Sequence, residues 1–309
     1  MSALGGGLNP REIELEAGAA EGGEIAVTGS PWKLVGRTFA QNKLALVGLG
    51  LIVLMFLFSF IGPLIYHTNQ TYGNIDFVNQ APGGSFPLGA DDEGYNILGR
   101  LMVAGRPSLE VGLAVGFVSV VFGLIVGAIS GYFGGWLDSL LMRIVDIGLA
   151  IPIVLLFIFM ADIFKPDLLL LMVLLVLISW LVPARIVRGE ALSLRTREYV
   201  QAVKGMGGGS SRIILKHLIP NTIGTIMVTI TFQVANSILV LSILQFLGSG
   251  LPPTTPTWGG MLEGGIAFLQ DGYWWQVYPA LVCIVLTIVA FNLVGDALQD
   301  AFDVRLQER

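Results

Sequence analysis

The chain has 309 residues, of which 54% are hydrophobic and only 13% charged, and its net charge is −5. Soluble domains carry about a quarter charged residues, and a soluble globule of this length has too large an exterior to hide so much apolar surface, so the solvent must be lipid. With Cys283 alone an intrachain disulfide is excluded, and with His67 and His217 far apart and without acidic companions at ligand spacing a catalytic zinc site is disfavoured. No basic stripe favours nucleic acid, and no GxxxxGK[ST], HExxH or GxSxG signature is present.

Residues 1–30 are rich in Gly, Ala and Glu without apolar periodicity, and read as a disordered tail. The first long apolar run starts near Leu44, behind Lys33, Arg37 and Lys43, and reads as a retained anchor rather than a cleaved signal. A spanning helix needs about 20 apolar residues. Six stretches qualify: 44–66, 109–131, 138–161, 168–188, 221–247 and 277–297. Pro152 and Pro183 lie inside the third and fourth and predict kinks. The connections include external segments 67–108 and 248–276 and an internal segment 189–220, within a membrane domain covering 31–309.

Lys and Arg fix the orientation. With both termini cytoplasmic, only Arg100, Arg106 and Lys165 fall outside, while Arg143, Arg185, Arg188, Arg195, Arg197, Lys204, Arg212 and Lys216 fall inside. Trp258, Phe268, Tyr273, Trp274 and Trp275 then form an outer aromatic group, expected as an interfacial belt. The second span carries a ladder of Gly112, Gly116, Gly123, Gly127 and Gly131, suited to close backbone approach, either within the chain or across a dimer face. Arg143 and Asp146, three apart, are expected to pair.

The polar interruption at 189–220, GEALSLRTREYVQAVKGMGGGSSRIILKHLIP, is too polar to span. A short helix from Arg197 to Lys204, a turn at Gly207, Gly208 and Gly209, and a second helix capped by Ser210 and running to about Leu218 would present side chains to a soluble partner. A phosphate loop is disfavoured, since Lys204 precedes the glycines and no strand leads in.

Polar residues inside spans are pathway candidates because they are costly in lipid. The fifth span supplies Thr229, Thr231, Gln233, Asn236 and Ser237, whose neutral groups suit a transport path or interhelical bonds. An ion-coupled secondary transporter, the alternative reading, would use intramembrane carboxylates. This chain keeps its few acids near the span ends, with Asp296 and Asp300 at the inner end of the sixth.

EYVQAVKGMGGGSSRIILKHLIPN resembles the cytoplasmic EAA loop of ATP-binding-cassette importer permeases, with Gln201, Ala202 and Val203 at the triplet, Gly207 at the glycine and Pro220 at the final proline. FPLGADDEGYNILGR, GYFGGWLDSLLMRIVDIGLAIP, PPTTPTWGGML and AFNLVGDALQDAFDVRL are similar, in order, to further segments of the C-type subunit of the dipeptide/oligopeptide/nickel branch. Departures from that pattern include Tyr95, Gln201, Leu241, Gln299 and Val304.

The resemblance implies an all-α, six-span type I importer permease, with no catalytic residue, metal or cofactor of its own. It implies a homologous second permease, two cytoplasmic ATPases that bind ATP and Mg, an extracytoplasmic solute-binding protein, and a place in the cell membrane. Carried over to this chain, Glu198, Tyr199, Gln201, Ala202, Lys204, Gly205, Gly207, Arg212 and Pro220 are the residues expected to couple to the ATPases.

Overall fold

The computed structural model describes residues 31–70 and 72–307; the tail expected over 1–30 lies outside them. Among the described residues no strand forms, and two isolated β-bridges, Gly83 to Phe86 and Ala90 to Asn96, are the only extended pairings. The helices are α1 Pro31–Gln41, α2 Lys43–Ile65, α3 Ile97–Phe133, α4 Gly135–Ala150, α5 Ile153–Phe164, α6 Leu168–Leu194, α7 Glu198–Gly205, α8 over 210–221, α9 Ile223–Phe246, α10 Trp258–Ile266 and α11 Tyr278–Gln307.

Five of these are long and apolar enough to cross a membrane singly: α2, α3, α6, α9 and α11. The third expected span is instead the pair α4 and α5, bent by 83° where Ile151 and Pro152 interrupt the helix. Proline has no N–H to continue the ladder and disfavours helical backbone in the residue before it, so the break falls there.

The glycines settle whether that bent pair crosses. A Cβ on Gly123 would lie 2.6 Å from Pro183 Cβ, one on Gly127 2.9 Å from Arg188 N, and one on Gly131 2.6 Å from Ala191 Cβ. The partner numbers rise together, so α3 and α6 run parallel. Gly112 and Gly116 instead meet Ile238 and Val234, so α9 runs antiparallel to α3. Gly295 meets Phe232 and Gly224 meets Phe302, which turns α11 back against α9. Two parallel neighbours joined through 134–167 require a return crossing, and the α4–α5 pair provides it. The described residues make six passages, so the first begins and the sixth ends on the same face, with Lys43 and the end of α11 on one side.

The ladder therefore serves packing within the chain, with α3 at the centre of the bundle between α6 and α9. The dimer face considered for it is not what these glycines form. Without side chains the helix axes approach closely, and dispersion and interhelical contact replace the hydrophobic effect that lipid does not provide. Outward positions such as Val47, Leu54, Phe117, Leu177 and Val282 are about half exposed, as lipid-facing residues should be.

Two boundaries move. The second span starts at Ile97, not 109, because Asn96 caps it by accepting from Gly99 N at 3.1 Å. At 1.5 Å per residue its 37 residues reach about 55 Å, well beyond the hydrocarbon thickness of about 30 Å. The external segment thus ends at Asn96 instead of 108. Arg106, on the extra turns, donates to the carbonyls of Ser59 (3.1 Å) and Phe60 (3.3 Å), inside the π-helical stretch Leu57–Ile61 of α2 where the regular ladder is interrupted. Likewise α6 persists to Leu194, so the internal polar segment begins at Arg195 rather than 189.

The outer aromatics divide. Trp258 is fully buried and donates Nε1–H to Leu101 O at 2.9 Å; Trp275 is buried and donates to Ala90 O at 3.1 Å. These two anchor the outer segments to α3 and to each other. Trp274, about half exposed, and Phe268 and Tyr273, half-buried, suit the expected interfacial belt. Arg143 does not pair with Asp146. Asp146 accepts from Arg185 of α6 at 2.5 Å, while Arg143 points outward.

Candidate functional site: a short exposed helix beside a cavity

The helix α7 has eight residues, too few to be stable alone in water. It is held by two valines. Val200 is buried and Val203 half-buried in a small cluster with Ala191 at the end of α6, Ile213 and Leu218 of α8, and Tyr132 at the end of α3. The rest of its circumference, Glu198, Tyr199, Gln201, Ala202, Lys204 and Gly205, is exposed. Gln201 ties the helix start by donating to Arg195 O at 2.7 Å.

Its end is a Schellman motif. Gly207 N–H bonds to Lys204 O at 3.1 Å and Gly208 N–H to Val203 O at 2.9 Å. Gly207 takes φ +81°, the left-handed region that favours glycine, with open space around it. Gly208 is glycine for another reason: a Cβ there would lie 2.6 Å from Val203 Cγ1 and 2.7 Å from Val203 O. Gly209, not Ser210, occupies the N-cap of α8; Ser210 is its first helical residue and makes no cap bond.

The helix α8 continues past Leu218 through a π-helical stretch, Ile214–Leu218, to Asn221, whose side chain donates to His217 O at 2.6 Å. Arg212 and Leu215 are exposed beside α7, as is Met206 at 80%. The result is a polar knob with a few apolar points, projecting from the bundle end that carries Arg195, Arg197, Lys204, Arg212 and Lys216.

Above the knob, a cavity of about 1330 Å³ opens among α6, α9, α11 and the start of α7. Thr225, Thr229, Phe232, Gln233 and Asn236 line it, following the 3.6-residue repeat of α9 on one face. Glu190 of α6, Arg197, Glu198, and Gln299, Phe302 and Asp303 of α11 surround its end nearest α7; Pro220 is also on the wall. Thr225 Oγ1 donates to a Glu190 carboxylate oxygen at 2.8 Å, linking α6 to α9 across the wall.

The five polar candidates of the fifth span thus separate. Thr229, Gln233 and Asn236 face the cavity. Thr231 turns toward α11, where a Cβ on Gly295 would meet its Oγ1 at 2.6 Å, and it donates to Val228 O at 2.7 Å. Ser237 is buried and donates to Gln233 O at 2.7 Å. Selection by polarity alone collected residues from opposite sides of one helix. The 225, 229, 232, 236 stripe would have separated them, and would have added Thr225 and Phe232. Glu190, Gln299, Phe302 and Asp303 carried no local signal, since other helices bring them to the wall.

Among the described residues no group of three or more His, Cys, Asp or Glu is placed to hold a metal ion. Leu241, one of the departures in sequence, is buried in the main apolar cluster with Phe157, Leu171 and Leu244. Tyr95, another, stacks under the Arg100 guanidinium at 4.3 Å.

Residues 120–308 match the model of a family described as the binding-protein-dependent transport system inner membrane component, and residues 30–82 match the N-terminal transmembrane domain of oligopeptide transport permease C. The chain is 36% identical over 280 residues to the oligopeptide transport system permease protein OppC of Bacillus subtilis, covering 90% of this chain and 91% of that one. It is 34% identical over 297 residues to the dipeptide transport system permease protein DppC of the same organism, covering 96% and 92%. It is 38% identical over 278 residues to OppC of Haemophilus influenzae, covering 89% and 88%.

Proposed function

The chain belongs to the family of binding-protein-dependent transport system inner membrane components, and from that premise we propose that it is one permease subunit of an ATP-driven importer of peptides. It has no nucleotide-binding motif, so ATP and Mg are held by two cytoplasmic ATPases. A homologous second permease completes the membrane unit, and an extracytoplasmic binding protein delivers the cargo. Both termini and α7 face the cytoplasm, in line with the basic residues gathered at that end.

The observation that carries this reading is α7: a short helix fixed by two valines, exposed over the rest of its surface, directly beneath a large cavity. Glu198, Tyr199, Gln201, Ala202, Lys204, Gly205 and Arg212 form the face that seats in the ATPase. Gly207 shapes its end, and Pro220 sits where α8 leads into α9. Closure of the ATPases would move α7 as a rigid peg and, through α6 and α8–α9, open or shut the cavity to the cytoplasm. Thr229, Gln233 and Asn236 offer neutral donors and acceptors to passing amides. Peptide as cargo rests on the named relatives and on this neutral wall. An ion-coupled mechanism has no fully buried carboxylate among the described residues to use.

The lone, buried Cys283 makes a direct test possible. In a Cys283→Ala background, Ala202→Cys should cross-link to an ATPase subunit in the assembled complex, and Asp92→Cys in the outer segment should not. Failure of Ala202→Cys to give that adduct in a complex that hydrolyses ATP would remove α7 as the coupling element.

A further inference from the structure

The permease reading leaves the chemical preference of the cavity open, and its wall carries an uneven charge. Among the described residues, Glu190, Glu198 and Asp303 line it against one cation, Arg197. The other arginines of α6 do not offset this: Arg185 is paired with Asp146 and Arg188 with Asp138, on the side facing α4. Higher on the wall, Thr229 and Gln233 are each more than nine-tenths buried and neutral. The acids are therefore concentrated at the inner end, below a wall that hydrogen-bonds without charge.

A sphere of about 1330 Å³ has a radius of roughly 7 Å, within one Debye length (about 8 Å) at physiological ionic strength. Carboxylates on such a wall act on a solute at its centre, and low-dielectric walls focus their field. Glu190 is the best placed of them. It is half-buried on α6, and its Thr225 bond occupies one oxygen and holds the carboxylate at the wall.

We infer that the inner cavity selects for cargo bearing a positive charge, such as peptides with a lysine or arginine side chain in addition to the terminal ammonium, with Glu190 and Asp303 as the specificity-determining residues. The inference rests on the permease reading and adds the cargo's charge class to it. Glu190 attracts the cation by field and by direct contact, and the neutral stripe of α9 handles the peptide amides. Anionic peptides meet the same field as a barrier to exit.

The test uses the complete transporter in proteoliposomes with its own binding protein at saturating concentration. The probes are three tripeptides of matched size: Ala-Lys-Ala, Ala-Gln-Ala and Ala-Glu-Ala. Uptake of the charged peptides is normalised to that of the neutral one in the same vesicles, which cancels differences in insertion and assembly. Glu190→Gln keeps an acceptor for Thr225, and Asp303→Asn is an independent second variant on another helix. Each should lower the Lys-to-Glu uptake ratio at least about threefold, and the double variant further. An unchanged ratio in both single variants and in the double variant overturns the inference and leaves the permease reading intact. Wild-type uptake of the probes that runs without ATP overturns both, so the two failures are distinguishable.

Discussion

Arg188 holds Asp138 with two parallel hydrogen bonds, Nε to Oδ1 at 2.5 Å and Nη2 to Oδ2 at 2.7 Å, joining the end of α6 to the start of α4. Ser130 of α3 donates to the same carboxylate, so three helices meet at one group. Bidentate, charge-assisted contacts are the strong kind. Asp138→Asn should therefore cost about 1.5–3 kcal/mol. Asp146→Asn, which breaks a pair exposed by about half on both sides, should cost less than about 1 kcal/mol. Thermal inactivation of the detergent-solubilised complex separates them; equal losses would refute the distinction.

The α3 ladder gives a second contrast. A Cβ on Gly127 would press on the backbone of α6, 2.5 Å from Ala184 O and 2.9 Å from Arg188 N, and neither can rotate away. Gly127→Val should cost about 1–3 kcal/mol or more through overpacking and reduce the yield of folded protein. Gly50→Val, in the equally apolar α2, meets nothing within 4 Å and should leave the yield near wild type. Fluorescence-detected size-exclusion profiles of the two variants read the difference directly.

These contacts show why parts of the fold were legible in sequence and others were not. Long apolar runs mark α2, α9 and α11 because burial in lipid is a property of composition. The start of α3 was missed because Arg100 and Arg106 lower its hydropathy, although Asn96 supplies a cap three residues before Gly99. The third span carried its proline openly, but a bend of 83° depends on how α4 is held against α6, and that information lies 50 residues away in Arg188. Arg143 and Asp146 show the same limit: helical spacing proposed a local pair, and tertiary structure offered Asp146 a better-placed partner in Arg185. At the site, the knob was readable because its polar interruption and glycines are contiguous. The cavity was half readable, because one stripe of α9 is local and the walls from α6 and α11 are not.

The glycines that end α7 should behave differently from one another. Gly205 faces open space, so Gly205→Trp should leave the fold intact while its bulk keeps the ATPase from seating. Gly208→Ala must displace Val203 and disturb the bond from Gly208 N to Val203 O, loosening α7 by about 1 kcal/mol. Hydrogen exchange over 198–209 should rise for Gly208→Ala and stay unchanged for Gly205→Trp. Co-purification of the ATPases should fall in both, most for Gly205→Trp. Retained co-purification with Gly205→Trp would mean that this face is not the docking surface.

At the opposite end, Asp91 organises the outer segment. Its Oδ1 accepts from Tyr95 N at 2.8 Å and Glu93 N at 3.1 Å, and Arg100 Nε lies 3.6 Å from Oδ2. Burial nevertheless pushes its carboxyl above the ordinary value; Arg100 and the two N–H groups offset this only in part, and Asp92 adds to it. The sign follows from linkage. The folded segment binds the proton more tightly than the unfolded chain, so its stability falls as pH rises from about 4 through the raised value and is level above it. Asp91→Asn keeps an acceptor for both N–H groups and removes the charge that burial disfavours. At neutral pH the variant should resist proteolysis within 66–96 at least as well as wild type, and the difference should close as the pH is lowered toward 4. Faster cleavage of Asp91→Asn at neutral pH would show instead that the attraction to Arg100 outweighs the cost of burial.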